Sequence, residues 1–339
     1  MTMIMRYKPG RRNVLKIAAL AGVAAACPAL CASRADFTCR LGMNQPVGSP
    51  SHLRMMQMAE AIRKESDGKL QIDVYPNSTL GSDNAMLGAV REGELDFYLA
   101  GNNLGPVAAV SELPSLPYIF TDNANVFAAL DGELGDYIRR EVSANGLHAF
   151  PYYMQNGFHQ LTNVLRPIET ARDLRGMTIR TPVEHMPADF FELFGASPKG
   201  ITFNNMYVSL RDGIVEGQTD PMGVVISLKL YEVQKYLSLT NHWWSGFLLV
   251  ANHDSWNRLP GEMRDIVTRN QKQYALLQRS DVDEINRSAT SFLRDKGMLV
   301  NHADSDSFRP MLGGFYKKWR AVYGESAWSI LQHYSPTLA

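Results

Sequence analysis

After residue 36 the apolar positions fall into two alternating rhythms. Leu41 and Met43 lie two apart and predict a first strand ending at Asn44. Leu70, Ile72 and Val74 alternate with polar residues and predict a second strand, stopped by Pro76. Leu95, Phe97 and Leu99 predict a third. Between these strands the period lengthens. Leu53, Met56, Ala59 and Ile62 recur every three residues, predicting a helix over 51–66 with Gly68 as its C-terminal cap. Gly81-Ser82-Asp83 offers an N-cap to a helix running through Val90. A strand–helix–strand–helix–strand order predicts a parallel sheet with helices on its faces.

Beyond Pro106 the pattern gives an apolar connector, LPSLPYIF (113–120), a helix from Ala124 to Asn145 and a strand from Leu147 to Tyr153. The segment GFHQLTN (157–163) follows. Helix 187–194, a strand at 199–203, a short helix from Asn205 to Asp212, a strand from Ile214 to Thr219 and a helix from Val224 to Leu237 come next. FLLVAN (247–252) has the continuous apolar run of a buried strand. Residues 262–296 contain neither proline nor glycine, which predicts one very long helix that can run across two lobes. Two shorter helices close the chain.

The stretch 173–221 opens with DLRGMTIRTP and closes with LRDGIVEGQTDP. Side chains alternate along a strand, so Met177, Ile179 and Thr181 share one face and Thr178 and Arg180 the other, with Pro182 ending the strand. An arginine at a strand end suits either a structural ion pair or a bidentate grip on a planar carboxylate.

The N-terminus differs in kind. Residues 1–35 hold six basic residues and no acid, then an apolar run from Ile17 to Leu30 and small residues at Ser33 and Ala35. This pattern predicts an export signal cleaved after Ala35. RRNVLK (11–16) resembles a twin-arginine signal, and neither Cys27 nor Cys31 has the preceding leucine of a lipoprotein box. Without those six basic residues, 28 remain against 34 acidic ones. That negative balance argues against nucleic acid and anionic membrane as partners. The single remaining cysteine, Cys39, can form no intrachain disulfide.

HExxH, GxSxG, P-loop, GxGxxG and CxxC motifs are all absent, and the eight histidines are scattered. HADSDSF (302–308) lacks the glycine and glutamate of a calcium loop. No cofactor or metal is expected. Polar and aromatic residues do stand at predicted strand and loop ends: Asn44, Asp83, Asn102, His159, Arg180, Phe203, Asp220 and Trp243. Ligands of α/β sheets bind beyond the carboxyl ends of strands. The expectation is a clamshell that binds a small solute between two lobes.

The order and spacing of several blocks resemble the solute-binding proteins of TRAP (tripartite ATP-independent periplasmic) transporters of the DctP type. The blocks are LGMN (41–44), DGKLQIDVYPNSTLGSDNAML (67–87), REGELDF (91–97), LPYIF (116–120), DLRGMTIRTP, LRDGIVEGQTDP, YEVQKYLSLTNH (231–242) and WNRLP (256–260). The resemblance implies an α/β, two-lobed periplasmic-binding-protein clamshell with a long helix bridging both lobes. On the expected boundaries, lobe I takes 36–156 and 246–285, and lobe II takes 157–245 and 286–339. It also implies a periplasmic protein, not an enzyme, that delivers an organic acid to integral-membrane TRAP permease subunits.

Arg180 matches the family's carboxylate-binding arginine, and Phe203, Asn44 and Asp83 fall where members contact ligand. An N-cap role for Asp83 is an equal alternative. His159 stands where many members carry a second arginine, Asp220 where asparagine is common and Thr219 where glutamate is common. Gly101 replaces the acid of sialic-acid binders, which points away from sialic acid. The resulting expectation is a monocarboxylate on Arg180, its apolar or aromatic body beside Phe203 and Trp243, and a hydroxyl or keto group near His159 or Asp220. An aromatic 2-hydroxy or 2-keto acid fits this sketch; a sugar acid or an aliphatic keto acid competes with it. A sensory protein presenting its ligand to a receptor would use the same binding chemistry. An exported enzyme with Asp220 and His159 as an acid–base pair has no nucleophile or metal site to support it.

Overall fold

The computed structural model describes residues 35–335 and 337–338. The export-signal and twin-arginine readings of residues 1–34 lie outside the described residues. In chain order the first elements are β1 (Phe37–Met43), α1 (Pro50–Glu65), β2 (Leu70–Tyr75), α2 (Asp83–Glu92) and β3 (Phe97–Ala100). β1 pairs in parallel with β2, Phe37 opposite Leu70, and with β3, Leu41 opposite Phe97. Helix α1 starts where predicted: Ser49 accepts from the His52 amide and Pro50 occupies the first turn, where its missing N–H costs nothing. Its buried stripe is Met55, Met58, Ala59 and Ile62; Leu53 and Met56, predicted to face inward, are about half exposed.

Two helices, α3 (Asn123–Leu130) and α4 (Glu133–Ala144), replace the single predicted helix over this span. The break at Asp131-Gly132 is held from outside: Arg279 donates to both Asp131 carboxylate oxygens at 2.7 Å. Next come β4 (Leu147–Ala149) and β5 (Met154–Asn163), then β6 (Thr178–Thr181), α5 (His185–Leu193) and β7 (Ser197–Gly200). The following elements are α6 (Met206–Arg211), β8 (Gly217–Pro221), α7 (Met222–Ser227) and β9 (Tyr236–Leu239). The helix predicted over 224–237 therefore ends early. Lys229 adopts a left-handed φ of 52°, and YLSL forms a strand that pairs with β5. Such pairing is supplied by partners distant in sequence and leaves little local trace.

The chain ends with β10 (Trp244–Asn252), α8 (His253–Arg258), α9 (Gly261–Asp295), β11 (Leu299–His302), α10 (Leu312–Tyr323) and α11 (Glu325–Gln332). The main strand order is β2-β1-β3-β10-β5-β8-β6-β7. The antiparallel pair β10–β5 joins a half built on β1–β3 to a half built on β6–β8, giving the expected two lobes. The 35-residue α9 spans about 50 Å at the usual rise per residue. It is tied to α1 by the Arg54–Asp281 pair (2.6 and 2.7 Å) and reaches α7 through a Thr290–Met222 contact. The long bridging helix is thus present as a single element.

Candidate functional site

The carboxyl ends of β1, β3, β6 and β8 converge on one cleft, and the middle of the β10–β5 pair forms its floor. Of the eight predicted site residues, seven line this cleft: Asn44, Asp83, Asn102, His159, Arg180, Phe203 and Asp220. Trp243 does not, and this corrects the sequence reading. It is 2% exposed and packs edge-on against Phe190, Phe191 and His242 in the core, while its backbone carbonyl accepts from the His159 amide at 2.8 Å. An indole with that many aromatic neighbours gains more from burial than from walling a polar cleft.

Arg180 is buried at 3% exposure. Its Nε donates to the Ile201 carbonyl at 2.9 Å and Nη1 donates to Asp220 Oδ2 at 3.1 Å. Among the described residues Nη2 makes no hydrogen bond, and Arg180 lines the cleft. The structural ion pair with Asp220 is therefore present.

Three carboxyl groups surround this arginine. Burial pushes Asp220 up to about 7, with Arg180 opposing the shift. Burial also raises Asp83 and Glu184. The same desolvation lowers Arg180, countered by Asp220, Glu184 and Asp83 in that order. Arginine stays protonated regardless. Asp83 is not the helix cap. Ser82 accepts the Ala85 amide, and the Asp83 carboxylate accepts from Tyr98 Oη at 3.1 Å.

His159 is buried and neutral, its pKa driven well down by desolvation and by neighbouring His242 and Arg180. Its Nδ1 meets Thr219 Oγ1 at 3.0 Å and its Nε2 meets Ser245 Oγ at 2.8 Å. Ser245, Asn156 and Glu184 also line the cleft and escaped sequence reasoning. Asn156 Nδ2 donates to Ser245 Oγ at 3.0 Å. Local strand geometry aims both: Gly157 has φ 122°, and the β10–β5 register shifts between Ser245 and Gly246. Gly246 is obligatory there, since a Cβ would fall 2.1 Å from the Trp244 ring and 2.6 Å from the Met154 carbonyl. The available sequence signal was a glycine beside a polar residue inside each strand pattern.

Two α/β lobes, a bridging helix and a buried cleft arginine define a clamshell solute-binding protein. The chain belongs to the bacterial extracellular solute-binding proteins, family 7 (DctP), which matches residues 41–322, and so to the TRAP-type binding proteins. It is 30% identical over 283 residues to the 2,3-diketo-L-gulonate-binding periplasmic protein YiaO of Escherichia coli, covering 83% of this chain and 86% of that one. It is 27% identical to the sialic acid-binding periplasmic protein SiaP of Vibrio cholerae, over 86% of this chain and 91% of that one. A TRAP periplasmic solute-binding protein from Polaromonas sp. JS666, bound to D-erythronate, superposes with a TM-score of 0.83. That pair shares 26% identity, over 87% of this chain and 98% of the other. These relatives are binding proteins, not enzymes, and the family is extracytoplasmic.

Proposed function

We propose that this protein captures a small polyhydroxylated or keto monocarboxylic acid, a sugar acid in the broad sense, by closure of its lobes around Arg180. The ligand carboxylate takes the Nη2 edge of Arg180, and its hydroxyl and keto groups pair with the surrounding amides, carboxyls and Ser245. The observation that carries this reading is the lining itself. Asn44, Asn102, Asn156 and Ser245 supply a density of hydrogen-bonding groups that an aromatic body would leave unpaired. With Trp243 in the core, the aromatic-acid expectation loses its stacking partner; Phe203 and Phe247 remain as the cleft's apolar surface.

The 30%-identical relative named for 2,3-diketo-L-gulonate and the 26%-identical structure holding D-erythronate support the same class. The lobe boundaries we propose are 36–156 with 246–285 and 157–245 with 286–339. The protein is exported through its N-terminal twin-arginine-like segment and hands its ligand to a TRAP permease.

A thermal-shift panel of residues 36–339 tests the ligand class. A ligand at a hundred times its Kd stabilises the folded state by about 2.7 kcal/mol. Aldonates and uronates should raise Tm while aromatic 2-hydroxy acids should not. A shift confined to the aromatic acids would overturn the proposal.

A further inference from the structure

Behind the cleft runs an unbroken file of buried side chains that the family reading does not use. Thr240 Oγ1 meets His242 Nδ1 at 2.7 Å, His242 Nε2 meets Thr219 Oγ1 at 2.8 Å, and Thr219 Oγ1 meets His159 Nδ1 at 3.0 Å. His159 Nε2 then meets Ser245 Oγ at 2.8 Å, on the cleft wall. Thr240, His242, Thr219, His159 and Ser245 are all at most 4% exposed. Burial keeps both imidazoles neutral, lowering His242 to about 3 and His159 well below its ordinary value. A neutral imidazole has one donor nitrogen and one acceptor nitrogen, and a hydroxyl has one proton.

Thr219 could accept from both rings only by leaving its own buried proton unpaired, so two polarities remain in which that proton is used. Thr219 sits between two ring nitrogens, so it donates to one ring and accepts from the other, and the two tautomers are locked together. The far end breaks the tie. Among the described residues, the Thr240 hydroxyl has one side-chain or carbonyl acceptor in reach, His242 Nδ1. If His242 instead donated to Thr240, the Thr240 proton would be buried without a partner, which native structures rarely tolerate. Thr240 therefore donates to His242, His242 Nε2–H to Thr219, Thr219 to His159 Nδ1, and His159 Nε2–H to Ser245. Ser245 Oγ already accepts from Asn156 Nδ2, so its own proton is left for the cleft. One contact pulls the other way. The Thr219 backbone carbonyl lies close enough to favour a proton on the His159 nitrogen facing it, although no hydrogen bond within normal limits joins them.

The geometry points to a specificity device: the Thr240–His242–Thr219–His159 file fixes Ser245 as a hydrogen-bond donor, so that the ligand atom facing it must accept; a keto or carboxylate oxygen does so outright, whereas a hydroxyl can accept there only if its own proton finds another partner. Thr240, His242 and Thr219 are positioning residues, and Ser245 is the group that touches ligand. The inference rests on the sugar-acid reading for its ligand, and on the hydrogen-bond file and the neutrality of its two buried rings for its tautomers.

Two measurements separate those parts. Long-range proton–nitrogen NMR of histidine-labelled protein without added ligand reads which ring nitrogen carries the proton. His159 and His242 should both be Nε2–H at neutral pH. An Nδ1–H tautomer on either ring, or a doubly protonated ring, overturns the inference. Calorimetric titration then compares hydroxypyruvate with D-glycerate, which differ only at C2 and are too short to close a hemiketal ring. The keto acid should bind at least about tenfold tighter. Thr219→Val should bring the ratio near one, and Thr219→Ser should restore it. Equal affinity for the two acids in the unaltered protein overturns the selectivity. Correct tautomers with no binding of either acid would instead remove the sugar-acid reading and leave the donor assignment of Ser245 standing.

Discussion

Arg180 on β6 and Asp220 on the adjacent parallel strand β8 meet at 3.1 Å inside the cleft, and burial outweighs their attraction enough to lift Asp220 to about 7. An anionic ligand on Arg180 must coexist with this carboxylate. Protonating Asp220 would remove the conflict, so the proposed mode of capture predicts proton uptake on binding.

The sign of that linkage sets a stability test. Asp220 has a folded value above its ordinary 3.8, so its contribution is full below about pH 4 and is lost as pH rises to about 7. His242 runs oppositely: it is lowered from 6.5 to about 3, so its contribution is present above about 6.5 and lost as pH falls. Asp220→Asn deletes only the first effect. Thermal unfolding should show the variant gaining on the unaltered protein between about pH 4 and about pH 7. A constant difference across that range would show that Asp220 titrates normally.

Trp243 offers a test of its placement. Removing a buried indole costs about 3–5 kcal/mol. Trp243→Phe keeps part of that packing and should lower Tm measurably while leaving the Kd for a cleft acid within about twofold. A large affinity loss in a variant that still folds at room temperature would put the indole back on the cleft wall.

At the strand bulge, Gly246→Ala forces a methyl into the Trp244 ring and the Met154 carbonyl. Overpacking of this kind typically costs about 1–3 kcal/mol. Denaturant unfolding should report it, and because Ser245 adjoins the bulge, affinity should fall as well. An unchanged midpoint would mean that the strand can yield at this point.

Arg279 ties α9 to the α3–α4 corner through Asp131, the Tyr153 carbonyl at 2.8 Å and the Phe127 ring at 3.8 Å. Asp131 is partly exposed, so the loss on Arg279→Ala should lie below the buried-pair range, at about 2–3 kcal/mol. Chemical denaturation with unchanged ligand affinity at low denaturant is the expected result.

Much of the first lobe was readable because its signals are local. Ser82 marks the start of α2 through its own side-chain cap, whereas α1 is capped by Ser66 and not by Gly68, the expected residue. The other failures share one cause. The α3–α4 break depends on Arg279, about 150 residues away in sequence, β9 and β11 exist because β5 and each other are there to pair with, and the buried face of α1 is chosen by α9. In the site, Arg180 was legible from its strand-end position. Ser245 and Asn156 were not, since a bulge and a positive φ aim them and neither has a distinctive sequence period. Trp243 was misplaced because an aromatic residue beside a cleft segment reads the same whether it faces in or out.

The central claim is that the Nη2 edge of Arg180 holds the ligand carboxylate. Calorimetric titration of one stabilising acid against the unaltered protein, Arg180→Ala and Arg180→Lys tests it most directly. Breaking a buried charge pair costs about 3–5 kcal/mol, and about 1.4 kcal/mol is tenfold in affinity. Arg180→Ala should therefore bind at least about a hundredfold more weakly, and Arg180→Lys should also lose affinity because a point charge cannot reproduce the planar fork. Near-normal affinity in a folded Arg180→Ala protein would contradict the account and place the carboxylate elsewhere in the cleft.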